Sequence, residues 1–244
     1  MQFNNWKEYF LHSRKHFSDI DFETEDLLTD EEKKIIFSSI QQFQHGENSE
    51  GKHLYSFAKR FPDPVYLECI RLFIPEEQMH AKVLGRFMKK HGIPLIKSHW
   101  VDSVFRWLRK LAGIENTVRV LLVAEIIAKV YYKGLRDATG SELLKKICTQ
   151  ILTDEEQHIL FQCDALRSLH HKKNFFHRFV VRAWQRVLMV GTIVVVWRYH
   201  KKVLKKGGYY FGRFFLENLL IYSEAERLIM KKEMQFVEKR VMIA

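Results

Sequence analysis

Apolar residues recur at three- and four-residue spacing through long stretches of the chain, which is the pattern of helices with one buried face. Only four prolines and eleven glycines interrupt these stretches, so the pattern predicts an all-α protein with almost no strand. Four long helices are predicted. They cover residues 29–61, where Thr29 and Glu32 form a capping box, residues 64–91, residues 116–138 before a turn at 139–141, and residues 142–169.

The segments around these four helices complete the predicted organisation. Residues 95–116, with a short helix at 101–111, form a connection long enough to cross the length of a bundle, so the second and third helices should be parallel. The predicted fold is therefore a four-helix bundle with one long crossover between helices two and three, followed by a C-terminal helical extension. The domain boundaries are 1–28 for an N-terminal lead-in, 29–170 for the bundle and 171–244 for the extension.

Charged residues interrupt the apolar stripe of each predicted helix. Glu47 and Glu77 are 30 residues apart, as are Glu125 and Glu155, and each second glutamate is followed by a histidine three residues later. The whole plan therefore recurs at an offset of 78 residues. The six repeated positions are Glu47, Glu77, His80, Glu125, Glu155 and His158.

This duplicated set is the ligand set of carboxylate-bridged dimetal sites in helical bundles. Four carboxylates and two neutral imidazoles can balance two divalent cations held roughly 3.5–4 Å apart, whereas the same acids without metal would be costly to bury. A single Glu-x-x-His on a charged helix is usually just a solvated face, and the duplication favours the metal site. Two iron ions fit the ligands, as do manganese or a mixed pair.

Several neighbouring residues extend the candidate site. Glu50 shares the stripe of Glu47, but its counterpart at position 128 is alanine, so the repeat favours Glu47 and leaves Glu50 as an additional or outer carboxylate. Glu76 and Asp154 each precede a Glu-x-x-His motif; each either accepts the free N–H of the opposite histidine or is an ordinary surface acid.

The motifs resemble the ferritin-like superfamily, most closely the rubrerythrin and bacterioferritin-like diiron proteins. The resemblance covers residues 30–170 and rests on Gly46-Glu47, Phe57-Ala58-Lys59 and the run from Glu77 to Lys82. It implies a ferritin-like bundle with two irons at the six repeated positions, reacting with dioxygen or peroxide. The chain departs from those families in lacking a rubredoxin-like cysteine knuckle, in offering only Glu125 on the third helix, and in its long tail.

Two classes of function follow. In the first, a diiron centre activates O2 to oxidise or hydroxylate an organic substrate, with a lipophilic compound as one option. The substrate would enter by a pocket beside Tyr55, Tyr131 or Tyr132, and similar bundles include quinone-precursor hydroxylases and RNA-modifying monooxygenases. In the second, a ferroxidase or peroxide-scavenging protein needs no organic substrate. A bundle with structural metals is the weaker third interpretation. Either of the first two makes the chain an oxidoreductase, and the sequence does not fix its oligomeric state.

The net charge of +11 comes from one segment, because residues 165–216 contain twelve basic residues and no acid. An apolar run at residues 187–197 lies within this segment and is too short to span a bilayer. The combination favours a buried fifth helix or contact with an anionic membrane surface; nucleic acid is the weaker interpretation. Three scattered cysteines and the absence of a signal-peptide pattern predict a cytoplasmic protein, with peripheral contact at the inner membrane surface as the variant.

Overall fold

The computed structural model describes residues 3–48, 51–97, 113–170 and 174–231, and every regular element within them is an α-helix. The all-α prediction is therefore confirmed for this part of the chain. The predicted short helix at 101–111 and residues 232–244 of the predicted C-terminal extension lie outside the described residues. The helices are α1 (Asn4–Ser13), α2 (Asp30–Glu47), α3 (Lys52–Ala58), α4 (Pro64–Lys90), α5 (Gly113–Ala138), α6 (Glu142–His170), α7 (Phe175–Lys206) and α8 (Phe211–Met230).

The helices begin where their local sequence favours a start. The backbone N–H of Glu32 donates to Thr29 Oγ1 and the backbone N–H of Thr29 donates to Glu32 Oε2, which is the predicted capping box of α2. Asp63 accepts from the backbone N–H of Val65 at the start of α4, and Pro64 occupies the first turn, where its missing N–H costs nothing.

The prediction of one continuous helix over residues 29–61 is wrong, because α2 ends at Glu47 and α3 starts at Lys52. Gly51 lies between them with φ +63°, in the left-handed region that favours glycine. A Cβ at Gly51 would lie 2.5 Å from a side-chain carbon of Ile74 on α4, so the chain passes close to α4 here. The break makes Glu47 the last residue of α2.

The core joins two helical pairs with covering helices. α2 packs on α4, α5 packs on α6, and α4 packs on α6. α1 covers α4 through the fully buried rings of Phe3 and Phe10. α7 covers α5 and α2, and α8 covers α6. The N-terminal lead-in and the C-terminal extension therefore both contribute side chains to the same hydrophobic core.

The apolar run at residues 187–197 belongs to a much longer helix than the sequence pattern indicated, because α7 spans 32 residues. Among the described helices, α7 alone is long and apolar enough to cross a membrane by length and composition, a test that buried helices of soluble proteins also pass. Only 28% of its most apolar window is buried. One face of α7 packs on the bundle, and much of the remainder is exposed.

Close backbone contact fixes the end of α7 against α5. A Cβ at Gly207 would collide with the backbone oxygen of Gly134, and a Cβ at Gly134 would lie 2.8 Å from a side-chain carbon of Leu204. Only glycine permits this approach. In the N-terminal half of α7, Gln185 accepts a hydrogen bond from the buried guanidinium of Arg119 on α5.

Candidate metal centre

The six repeated residues meet in the centre of the bundle as two overlapping groups of four. The first group is Glu47, Glu77, His80 and Glu155, and the second is Glu77, Glu125, Glu155 and His158. Within each group, one potential ligand atom per residue lies within 4.8 Å of every other. Glu77 and Glu155 belong to both groups, as two carboxylates that bridge a pair of cations would.

Glu155 stands between the two histidines. Its Oε1 atom is 3.7 Å from His80 Nδ1 and its Oε2 atom is 3.7 Å from His158 Nδ1. All four of these atoms are buried and none makes a hydrogen bond of good geometry, although His158 Nδ1 also lies 2.9 Å from Glu77 Oε1. Buried polar atoms are normally paired, so these are the atoms of the cluster that a bound cation would satisfy. The residues present therefore fit a metal ion.

The outer nitrogens of the two histidines are held by carboxylates from the opposite helix. His80 Nε2 on α4 lies 3.0 Å from Asp154 Oδ2 on α6, and His158 Nε2 on α6 lies 3.2 Å from Glu76 Oε1 on α4. Such bonds place the proton on Nε2 and leave Nδ1 as the lone-pair donor. Glu76 and Asp154 are both buried and lie within hydrogen-bonding distance of the opposite histidine, and their role in holding a metal-bound imidazole stays a prediction.

The last residue of α1 and the segment that follows it add groups that sequence reasoning missed. His16 Nδ1 lies 2.6 Å from Asp154 Oδ1, and the hydroxyl of Ser13 donates to Glu76. Bonding to Asp154 raises the pKa of His16. The lead-in carries neither a repeat nor a metal-binding motif, so no spacing signal could have identified Ser13 or His16.

The tyrosines proposed to line a pocket separate into two locations. Tyr132 donates a hydrogen bond of 2.7 Å to Glu47 Oε1, and buried Tyr131 contacts Ser39 at 2.9 Å. Tyr55 lies on α3 and accepts from the guanidinium of Arg71 at 2.7 Å. Only Tyr132 among them makes a described hydrogen bond to a cluster residue. Glu50, the alternative ligand, lies outside the described residues.

Aromatic rings surround both histidines. The ring centres of Phe73 and His158 are 4.8 Å apart, those of Phe10 and His158 are 6.3 Å apart, and those of Phe17 and His80 are 5.7 Å apart. Phe10 and Phe73 are buried. The rings exclude water from this side of the cluster, while part-exposed Glu47 and Glu77 lie on the more open side.

Proximity of the acids changes their protonation. Loss of solvent raises the pKa of Glu47 to about 8, and the neighbouring Glu77 adds to the shift. The pKa of Glu155 is raised well above its usual range by burial and by Glu125. Burial would lower the pKa of His158, but Glu77 and the other adjacent carboxylates outweigh it and raise that pKa. The metal-free cluster therefore holds protons that bound cations would replace.

Comparison of the chain with protein-family models, curated proteins and solved structures gives no match. The assignment consequently rests on the residues themselves. They define an all-helical protein with a buried glutamate and histidine cluster that could bind metal.

Proposed function

We propose that the chain is a diiron-carboxylate oxidoreductase whose α2, α4, α5 and α6 form a ferritin-like bundle, and that it activates O2 to oxidise an organic substrate. The observation that carries the proposal is the position of Glu155, whose two oxygens each lie 3.7 Å from the Nδ1 atom of one histidine, with none of these four buried atoms in a hydrogen bond of good geometry. Two irons, when bound, would supply the electrons for dioxygen reduction.

The protein's own residues would divide the remaining tasks. Glu77 and Glu155 would hold both ions, with Glu47 and His80 completing one side and Glu125 and His158 the other. Asp154 and Glu76 would fix the histidine rings and their tautomers from outside. The hydrogen bond from Tyr132 would orient Glu47.

The aromatic surroundings favour chemistry on an organic substrate. Rings of Phe10, Phe17 and Phe73 contact the histidines, and such a water-poor setting suits a reaction from which water must be excluded. Hydroxylation of a substrate R–H would consume one O2, two electrons and two protons and release R–OH and water. The two electrons that the irons would supply would be restored by an external reductant after each turnover.

A ferroxidase or peroxide-scavenging reaction is the second candidate, and the exposure of Glu47 and Glu77 favours it. These part-exposed carboxylates could admit ferrous ions or peroxide from solvent on the side that the aromatic rings leave open. Only a soluble oxidant and ferrous iron would then be needed.

Anaerobic loading with ferrous iron followed by metal analysis tests the site, and we expect two irons per chain. Oxygen uptake with excess ferrous iron alone then separates the two reactions. A ferroxidase turns over repeatedly under these conditions, whereas an oxygenase consumes oxygen once and needs reductant and organic substrate to continue. Wild-type protein that remains free of iron after loading would refute both.

A further inference from the structure

We propose that the outer face of α7 docks on an anionic lipid bilayer, with the helix lying along the membrane surface. The proposal concerns a different part of the molecule from the metal cluster and holds whether or not iron binds there.

The outer face of α7 is a continuous apolar stripe. Six positions at three- and four-residue spacing lie on the side of the helix opposite the bundle, and the large side chains among them are exposed, with Phe176 at 75% and Val187 at 66%. The stripe spans the 19 residues 176–194, or roughly 27 Å of helix. Exposed apolar patches of this extent mark interaction surfaces. The stripe consists of Phe176, Val180, Ala183, Val187, Val190 and Val194.

Basic residues continue the same face for its last three turns. Arg198, Lys201 and Lys205 follow Val194 at the same spacing, with Lys202 and Lys206 beside them, and all five are exposed. α7 has eight lysines and arginines and no acidic residue. Each basic group near an anionic leaflet adds to attraction. One of the eight, Arg182, pairs with Glu226 on α8. A second copy of the chain docked on this face would still bring two positively charged helices together with no acid on either, so charge complementarity selects lipid.

Aromatic side chains border this basic end. The rings of Trp197 and Phe211 are 5.7 Å apart, and Tyr210 at the start of α8 is 67% exposed. Tryptophan and tyrosine favour the boundary between lipid and water, because each has an apolar ring and a polar atom.

The inner face of α7 explains why the helix would lie on a membrane rather than cross it. Buried polar contacts hold that face to the bundle: Arg119 donates to Gln185, and Ser39 lies 2.8 Å from His200 Nδ1. Crossing a bilayer would leave these groups without partners in hydrocarbon. A helix held along one face can still insert its other face shallowly into the interface.

Co-sedimentation of the full chain with vesicles tests the proposal. We expect binding to phosphatidylcholine vesicles that contain phosphatidylglycerol, little binding to phosphatidylcholine alone, and weakening at high salt. A triple variant of the stripe, Phe176→Gln, Val187→Gln and Val194→Gln, should lower the partition coefficient at least ten-fold. Replacing Arg198, Lys201 and Lys205 by glutamine should remove most of the preference for the anionic lipid.

Matched variants elsewhere provide the controls. Leu11, Leu27 and Leu95 are exposed on other segments, and their replacement by glutamine should leave binding unchanged. Replacing the exposed bases Arg60, Lys82 and Lys89 by glutamine removes three positive charges, as the variant of Arg198, Lys201 and Lys205 does, but on other helices and loops. This control should keep the preference for anionic lipid. Circular dichroism and thermal denaturation verify that each variant folds.

Two outcomes would overturn the proposal. One is equal partitioning of the wild type and the folded stripe variant. The other is a wild-type dimer in light scattering that the stripe variant converts to monomer, with no vesicle binding by either protein, because a second copy would then cover the face.

Discussion

The two halves of the duplicated cluster have the same ligands but differ in their backbone. Glu125 lies within the continuous helix α5 and is 3% exposed, whereas its counterpart Glu47 is the last residue of α2 and is part-exposed. The flanking sequences explain the difference. Residues 124–129 read Ala-Glu-Ile-Ile-Ala-Lys, while residues 46–51 read Gly-Glu-Asn-Ser-Glu-Gly, with glycine, asparagine and serine lowering helix propensity. One half is thus rigidly enclosed and the other is open.

The largest expected effect comes from removing a ligand that both halves share. Glu155→Gln keeps the shape of the side chain but replaces one of the oxygens facing the histidines with an amide, so we expect both ions to be lost. Metal analysis after anaerobic iron loading measures this. Glu156→Gln, at the exposed neighbouring position, is the matched control and should retain both ions. A Glu155→Gln protein that keeps two irons would contradict the shared role.

The comparison between halves predicts unequal effects of the two unshared glutamates. Glu125→Gln should weaken binding of one ion by more than about 100-fold, because no solvent is available to replace the buried oxygen. Glu47→Gln should weaken binding by about ten-fold, because water can reach the vacated position. Titration with ferrous iron measures both affinities. Equal losses would show that the helix break does not affect the ligand.

The break itself can be tested with a glycine pair. Gly51→Ala places a side chain at φ +63° and against Ile74, so we expect a loss of about 2 kcal/mol in the free energy of unfolding. Gly46→Ala has no atom within 4 Å of its added Cβ and lies within α2, so it should stabilise by roughly 0.5–1 kcal/mol. Urea denaturation of the metal-free proteins measures both. Stabilisation by Gly51→Ala would show that a continuous helix is the preferred state.

The smallest expected effect is a pH dependence of the metal-free protein. Folding raises the pKa of Glu47 from 4.5 to about 8 and also raises the pKa values of His80 and His158. The folded state therefore binds more protons than the unfolded state between about pH 5 and 8. Its stability is full at the acidic end and falls by at least ~1 kcal/mol as pH rises through this window. Urea denaturation at several pH values measures how the free energy of unfolding changes with pH.

The metal-loaded protein provides the contrast for that measurement. Cations replace the protons at Glu47 and the histidines, so stability should change little over the same window. If the free energy of unfolding changes with pH equally in the metal-loaded and metal-free proteins, the cluster is not the origin of the pH dependence.

The spacing of apolar and charged residues predicted the long helices and the cluster residues that share one face of each helix. The cluster residues were found because ligands at i and i+3 on one helix lie on one face, and the offset of 78 linked the helices. The extended α7 was missed because it depends on tertiary contact. The break after Glu47 was missed because the helical spacing of apolar residues continues across residues 46–51, despite their low helix propensity. Gln185 and His200 sit in an apolar helix as partners of Arg119 and Ser39, and Gly51 is selected by Ile74 on another helix. No local pattern records such pairings.

The contact between Gly134 and Gly207 also bears on how the molecule unfolds. The backbones of α5 and the end of α7 are in close contact, and α7 packs along α5. Separating α7 from the bundle would therefore expose the apolar residues of α5 that it covers. Amide hydrogens in α7 should then exchange through the same global opening as those in α5, in one cooperative unit. We therefore expect that α7, despite its exposed apolar outer face, does not separate from the bundle by local unfolding. This would limit aggregation through that face.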